Sequence, residues 1–492
     1  MAKDIRDDIH EIQQNWGMQS LRNKLESQRI HQSSIAPLRK QWIRRNKYYY
    51  NCLKKFFTFL VEPGKRVLHL RCRTGFLLDT VKPSEGIGVE ISAEMVNIAQ
   101  SSYPSLKFTE SFPEDFKIGR TFDYIIFEDI GDTVDIIRIL RNLHENCERH
   151  TRLIIHSYNH LWAPLLVIAE KLRIKVPQFD QNWFSADDIE GLLKISGYEL
   201  LKIYRMLLFP KYIPLFSKLL NGFFAKLPLI NRLCFTQILV ARPLVQLRPR
   251  QELNVSVVIP CKNERGNIEE AVRRIPEMGS TTELVFCDDN STDGTADEIR
   301  RMMECYPDRI IKLVKGPGIN KAKNVWTGFD AATGDILIIL DGDLTVMPEE
   351  LPYFVNAIAG GYAEFVNGSR LVYSMPKNAM KKTNLMGNKF FSVVFSYLLD
   401  QRVKDTLCGT KVIWRSDWKR IKPLINSWGT VDRWGDYELL FSAAKLNLKI
   451  LDLPVHYQER VYGFTKMTKV FNNGMNMLKM CYYGFKKLKL GY

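Results

Sequence analysis

Apolar residues in this chain gather into short β-branched runs separated by stretches of helical spacing, and the alternation occurs twice. In the first half VLHL, IGVEIS, FDYIIFED and TRLIIHS read as strands with helices between them. NWFSADDIEGLLKISGYELLKI adds a helix capped by Ser185 ahead of two acids, then another strand. In the second half VSVVIP, LVFCDD and ILIILDGD are strands that each end in polar or acidic residues. Strands alternating with helices predict parallel sheets covered on both faces. The expected fold class is therefore α/β, with two doubly wound domains. The boundaries read from the pattern are an N-terminal helical segment at 1–44, a first α/β domain at 45–205, a connector at 206–250 and a second α/β domain at 251–492. The basic-aromatic stretch QWIRRNKYYYNCLKKFF, just before the first strand, reads as an amphipathic helix packed on the domain that follows.

The connector has prolines at 210, 214, 228 and 243, which cut it into short apolar-basic helices. Two readings stand for it: helices lying in the plane of a membrane interface, or a buried interdomain pair. Charge bears on the choice. The 492 residues carry 70 Lys and Arg against 54 Asp and Glu, a net charge of +16. The excess is local, because residues 200–251 and 461–492 contain no acid at all. Such stretches suit an anionic membrane surface, and no nucleic acid is expected as a partner. No uncharged apolar run approaches the roughly 20 residues that span a bilayer; FFSVVFSYLL is closed off by Lys389 and Asp400. The polar start MAKDIRDDIHEIQQNW is no signal peptide. Nine cysteines without a CxxC pair fit a reducing compartment. The expected location is cytoplasmic, peripheral to the inner face of the cell membrane.

Chemistry concentrates after Val255. Three strands delivering acids at their carboxyl ends are how open α/β sheets build a ligand crevice. Asp288 and Asp289 end the second of these strands, where ionised carboxylates can only accept hydrogen bonds. Asp341 and Asp343 end the buried run ILIIL, where two carboxylates need a cation or hydrogen bonds to compensate. Mg²⁺ or Mn²⁺ bridging a diphosphate would do so, with Asp341 on the metal or on the ribose.

The ordered set Pro260, Asn263-Glu264, Asp288-Asp289, Ser291, Asp293-Gly294-Thr295, Lys321, Asp341-Gly342-Asp343, Gly368-Ser369-Arg370, Asp405 to Lys411 and the closing PVHYQERVYGFTK resembles the family-2 glycosyltransferases of GT-A fold, above all the dolichol-phosphate mannosyltransferase type. The resemblance implies a nucleotide-sugar donor bound by Pro260, Asn263, Glu264, Asp288, Asp289, Lys321 and Asp341. It implies a lipid-linked phosphate or glycan acceptor met by Arg370, Lys381, Lys382, Arg460 and Lys466, with 379–399 lying on the membrane. It also implies Asp405 and Asp436 as candidates for the carboxylate base that transfer to a hydroxyl needs; a phosphate acceptor needs none. Thr345 stands where relatives add a polar ligand, and a turn capped by Ser291 or Thr292 leads into the helix after Asp293.

The first α/β domain resembles the class I methyltransferases that use S-adenosylmethionine, and the whole chain resembles bacterial fusions of the two folds. Gly75 and Glu90 match the cofactor loop and the ribose-binding acid. His69, Arg71 and Arg73 stand where that family has an acid and two glycines, so S-adenosylmethionine is not expected to bind and the loop is expected to take a different backbone path. The leading expectation is a glycosyltransferase acting at the membrane surface. Alternatives are a bifunctional protein with an active methyltransferase domain, and a basic scaffold without activity.

Overall fold

The computed structural model describes residues 2–176, 179, 181–374, 382–429, 432–463 and 470–491. The chain divides into two units, at residues 1–245 and 246–491.

In the N-terminal unit seven strands form one sheet: β1 (Arg66–Leu70), β2 (Glu85–Glu90), β3 (Lys107–Glu110), β4 (Phe122–Glu128), β5 (Cys147–Tyr158), β6 (Tyr198–Met206) and β7 (Thr236–Pro243). Their order is β3-β2-β1-β4-β5-β7-β6. The first five are parallel, whereas β7 runs antiparallel to both β5 and β6. The chain leaves β1 toward β2 on one side and returns to β4 on the other, so the switch point lies between β1 and β4. Helix Lys47–Leu60 buries Tyr49, Leu53, Phe56, Phe57 and Leu60, as its amphipathic spacing predicts. Ser185 caps helix Ala186–Ile195 through a reciprocal box with Asp188. Together these features form a Rossmann-like arrangement.

The expected connector at 206–250 is corrected by this sheet. TQILVARP is wholly buried as β7, because a β-branched run between two strands can satisfy its backbone on both sides. What remains is an excursion between β6 and β7 that carries helix Phe216–Gly222 and single 3₁₀ turns. It belongs to the first unit and ends well before the unit boundary.

The C-terminal unit has a second seven-stranded sheet: β8 (Asn254–Cys261), β9 (Thr281–Asp288), β10 (Ile310–Lys315), β11 (Ile336–Ile339), β12 (Phe365–Ser369), β13 (Lys411–Trp414) and β14 (Ile450–Pro454). The order is β10-β9-β8-β11-β13-β12-β14, with β13 antiparallel to β11 and β12. This is the GT-A arrangement. The central strands read as unbroken apolar runs because both faces are covered: Val255, Val257, Val258 and Ile259 are fully buried. Register sets Cys261 opposite Asp288 and Val258 opposite Ile339, so β8, β9 and β11 end at nearly one level. The switch point lies between β8 and β11.

Candidate active site

A cleft of about 380 Å³, within the roughly 300–1,000 Å³ usual for small-molecule sites, opens at the carboxyl ends of β8, β9 and β11. It brings together Pro260, Glu264, Asp289, Lys321, Asp341, Asp343, Arg370, Asp436 and Arg460 from the sequence-predicted set. Thr345 lines it too.

The loop after β8 is bolted to the loop after β9. The Asn263 amide donates to Ser291 Oγ at 2.9 Å, and Asn263 Oδ1 accepts from the Thr292 amide at 2.8 Å. The Glu264 amide donates to Thr295 Oγ1 at 3.0 Å. Asn263 itself takes a left-handed φ of 55° and stands exposed. Asp288 ends β9 and accepts from the Ser291 amide at 3.3 Å; like Asn263 it shapes the loop without lining the cleft. Ser291 and Thr292 do not cap the next helix as expected. Gly294 precedes Thr295–Cys305, and Asp293 instead accepts from the Thr295 amide at 3.0 Å. Asp289, nearly buried, accepts from the Gly318 amide at 2.7 Å and faces Lys262 at 3.6 Å.

The acids of the DGD step are each matched by a cation. Lys321 Nζ lies 2.5 Å from Asp341 Oδ1. Burial pushes the Asp341 carboxyl up, but the Lys321 charge and hydrogen bond outweigh it and hold it below its ordinary value. Asp343 pairs with Arg460 and accepts from Thr345 Oγ1 at 2.8 Å. Arg460 also reaches Glu264 at 3.5 Å. Gly342 lets this step pass close to the Pro260 carbonyl, where a Cβ would come to 3.1 Å.

Asp405 does not face the cleft. Its carboxylate is fully buried beneath Arg370, which donates Nε at 2.7 Å and Nη2 at 2.9 Å. The amides of Arg370 and Leu407 and the Asn388 side chain donate to it as well. Burial pushes this carboxyl up, but the Arg370 charge and these bonds prevail and bring it to about 2. A carboxylate so saturated is no proton acceptor, which corrects the expectation of Asp405 as a base. Arg370 meanwhile sits 5.2 Å over the Tyr457 ring at the cleft wall. Asp436 does line the cleft, but its Oδ1 lies 2.5 Å from the buried Lys411 Nζ. Lys381 and Lys466 lie outside the described residues, and of Lys382 only the backbone is described, as the first residue of helix Lys382–Leu399.

Sequence reasoning placed Gly409, Lys411 and Tyr457 in motif blocks without giving them a role, and it missed Arg433 and Trp434. Gly409 approaches Asp341 so closely that a Cβ would stand 2.2 Å from Asp341 Oδ2. The signal for it was present, since a glycine inside the polar block DTLCGTK marks close approach.

At the other switch point, between β1 and β4, the loop residues form buried ion pairs. Arg71 donates to the Asp132 carbonyl and carboxylate, both at 2.7 Å, and Arg73 pairs with Asp129. Glu90 spends its oxygens on the amides of Arg73, at 2.7 Å, and Ile91, at 2.8 Å. Glu128 lies 3.3 Å from His69 and 3.4 Å from His156. Arg71 and Arg73 hold left-handed φ of 57° and 53°, a backbone region that favours glycine. Gly75, at φ 80°, packs against Phe108.

Residues 256–420 match the family described as Glycosyl transferase family 2. The dolichol-phosphate mannosyltransferase of Pyrococcus furiosus is 38% identical over 122 residues, 24% of this chain and 34% of its own. The undecaprenyl-phosphate 4-deoxy-4-formamido-L-arabinose transferase of Edwardsiella ictaluri is 34% identical over 112 residues, 22% of this chain and 34% of its own. The matched stretch thus spans about a third of these curated relatives. Among solved structures, a mannosyltransferase from Pyrobaculum calidifontis in complex with GDP-Man and Mn²⁺ aligns with 20% identity and a TM-score of 0.34, over 50% of this chain and 71% of that one. A methyltransferase from Thermotoga maritima, described as S-adenosylmethionine-dependent and possibly a histamine N-methyltransferase, aligns with 18% identity and a TM-score of 0.36, over 44% and 99%.

Proposed function

We propose that the C-terminal unit, which carries a family-2 glycosyltransferase domain, moves a hexose from a nucleoside-diphosphate donor to a polyprenyl phosphate or another envelope-glycan acceptor at a membrane surface. The observation that carries this reading is the cleft at the β8/β11 switch point, where Asp289, Asp341 and Asp343 face Lys321, Arg370 and Arg460. Alternating acids and cations suit a ligand that combines phosphates with polar sugar hydroxyls.

Asp289 and the loop carrying Glu264 would receive the nucleoside. Lys321 would neutralise the diphosphate, and Asp341 and Asp343 would hold Mg²⁺ or Mn²⁺. The residues fit such an ion in one respect: two carboxylates one residue apart lie in the same cleft, each now balanced by a cationic side chain. Among the described residues no cluster of three or more protein ligands occurs, so phosphate oxygens and water would complete the coordination. When bound, the ion would stabilise charge on the departing diphosphate. In the transfer an acceptor oxygen bonds to the anomeric carbon, and the carbon–oxygen bond to the diphosphate breaks with its electrons leaving on the diphosphate.

The acceptor reading rests on the acids. Asp405 is saturated by Arg370 and Asp436 is paired with Lys411, so neither is poised to take a proton from a hydroxyl. An acceptor that is already an anion needs no base, and the Arg370 guanidinium is of the kind that binds phosphate. The names of the two curated relatives, a dolichol-phosphate and an undecaprenyl-phosphate transferase, support the same class.

The test is a donor-turnover screen with UDP- and GDP-sugars and Mn²⁺, with and without lipid phosphate. Wild type should release nucleoside diphosphate, and Asp343→Asn should keep the fold and lose metal-dependent release. Unchanged turnover in that variant would exclude Asp343 from metal binding.

A further inference from the structure

The N-terminal unit contains a second cavity, of about 250 Å³, walled by the segment before and within helix Lys47–Leu60, by the end of β5, and by helix Ala163–Lys171. Aromatic side chains dominate it: Trp42, Tyr49, Tyr50, Tyr158 and Trp162. Among them lies Arg39. This residue is 6% exposed, and among the described residues its guanidinium makes no hydrogen bond and no ion pair. Of its basic neighbours, Lys175 pairs with Glu170, Arg73 pairs with Asp129, and Lys211 donates to Asn46 Oδ1 at 2.7 Å. A buried guanidinium carries five donors, and leaving it uncompensated in an apolar wall is strongly unfavourable. Burial, then the charge of Arg73, push its pKa down, and the opposing Tyr50, Glu128 and Tyr158 offset only part of this.

The mouth of the cavity has a different character. Leu165 belongs to the lining yet is 57% exposed, and Leu161, Ile168 and Leu172 beside it are also more than half exposed. A ligand entering here passes apolar surface before meeting a cation among aromatic rings.

We propose that this cavity binds an amphipathic organic anion, a phosphomonoester or carboxylate whose head pairs with Arg39 and whose apolar chain or ring lies against the aromatic wall. The lining of this cavity includes none of the Arg71 and Arg73 ion pairs at the β1/β4 switch point. The binding is also independent of the sugar-transfer reading, which uses only the C-terminal unit. The head group could come from a membrane lipid or from a soluble metabolite, and the two sources differ in how much apolar length they need.

The experiment is isothermal titration of the full chain with decyl phosphate and decanoate below their micelle concentrations, beside ethyl phosphate, inorganic phosphate and neutral decyl maltoside. The anionic amphiphiles should bind with a dissociation constant on the order of tens of micromolar. Tighter binding of decyl phosphate than of ethyl phosphate assigns the head to a lipid, and equal binding assigns it to a soluble monoester. Arg39→Gln should weaken either by roughly tenfold or more, as expected for a lost charge-assisted bidentate pair, and Arg39→Lys should recover part of the loss. Arg39→Gln should melt no lower than wild type, because it removes a buried charge that has no ion pair among the described residues. Ala169→Phe, which fills the cavity and keeps Arg39, should abolish binding. The proposal is overturned if inorganic phosphate binds as well as the esters, if decyl maltoside binds as well as decyl phosphate, or if Arg39→Gln binds like wild type.

Discussion

Gly409 carries the sharpest steric demand in the C-terminal cleft. Its backbone is not left-handed, so alanine is conformationally allowed there, but an added Cβ would stand 2.2 Å from Asp341 Oδ2. Gly409→Ala should therefore push Asp341 off Lys321 and lower kcat/KM for donor turnover at least about tenfold, the scale of a small displacement of a positioned group. The melting temperature should move little, and a variant with full activity would show that Asp341 has room to shift. Single residues also mark where the sequence could be read and where it could not. Asp341 and Asp343 were legible because acids ending a buried strand need compensation. Arg460 as the partner of Asp343 was not legible as such, since 117 positions separate them and only the fold closes the distance. Asp405 misled for the same reason. A lone acid in a polar block reads as reactive until Arg370, arriving from the end of β12, is seen to cover it.

Elements were more legible than pairings, because period and capping are local. The β-branched runs gave the central strands of both sheets, and Ser185 gave a helix start. β7 was lost because prolines on both sides of its run made the whole stretch look like a linker. Helix Asp436–Lys445 shows how an element concentrates charge: Asp436 and Glu438 occupy its first turn, and Asp432 accepts from the amides of Tyr437 at 2.8 Å and Glu438 at 3.1 Å. Burial, aided by the Asp432 charge, pushes the Glu438 carboxyl up from 4.5 to about 7, although the Asn426 amide donates to it. A raised folded-state pKa means the folded protein holds this proton more tightly. The stabilisation is fully present below about pH 4.5 and is lost as pH rises through 7. Glu438→Gln should thus raise stability at pH 8 by about 1–2 kcal/mol and change it little at pH 4.5, which thermal melts at both pH values would check. The loop after β1 gives a second element-scale expectation. Arg71 and Arg73 hold their left-handed φ at a cost of about 1–2 kcal/mol each, offset by buried pairs to Asp132 and Asp129. Glu90 is likewise engaged, by the amides of Arg73 and Ile91. Calorimetry near 50 μM protein, a concentration blind to weak millimolar binding, should register no heat with S-adenosylmethionine; a micromolar dissociation constant would revive the bifunctional alternative.

At the scale of the whole molecule, the net charge of +16 and the distribution of exposed apolar residues bear on where the protein works. Among the described residues no helix is long and apolar enough to cross a membrane. Both units nevertheless expose apolar side chains in basic surroundings. In the N-terminal unit the acid-free excursion after β6 exposes Leu215 at 86% and Leu229 at 73%. In the C-terminal unit helix Lys382–Leu399 buries Phe391, Phe395 and Leu398 and turns Met386, Phe390 and Val393 outward, a stripe at helical spacing. Helix Val470–Leu488 does the same with Met475, Leu478 and Tyr482 outward and Met477, Met480 and Cys481 inward. Helices of this kind, half buried and half apolar toward solvent, with lysines nearby and no acids in 461–492, suit the plane of an anionic bilayer. Each basic residue near such a surface contributes about 1 kcal/mol, weakened by screening, and the buried apolar stripes contribute a part that salt does not remove. Liposome co-sedimentation should therefore show binding to vesicles containing anionic lipid, a large loss at high salt, and a salt-resistant remainder that falls when Met386, Phe390 and Val393 are replaced by Ser. Arg370→Ala, assayed alongside, should keep vesicle binding and lose transfer to lipid phosphate, which separates docking from acceptor use. If the protein stays in the supernatant under every condition and glycosylates a soluble acceptor, the membrane reading fails. Asp436, the acid that does line the cleft, would then become the residue to test as a base.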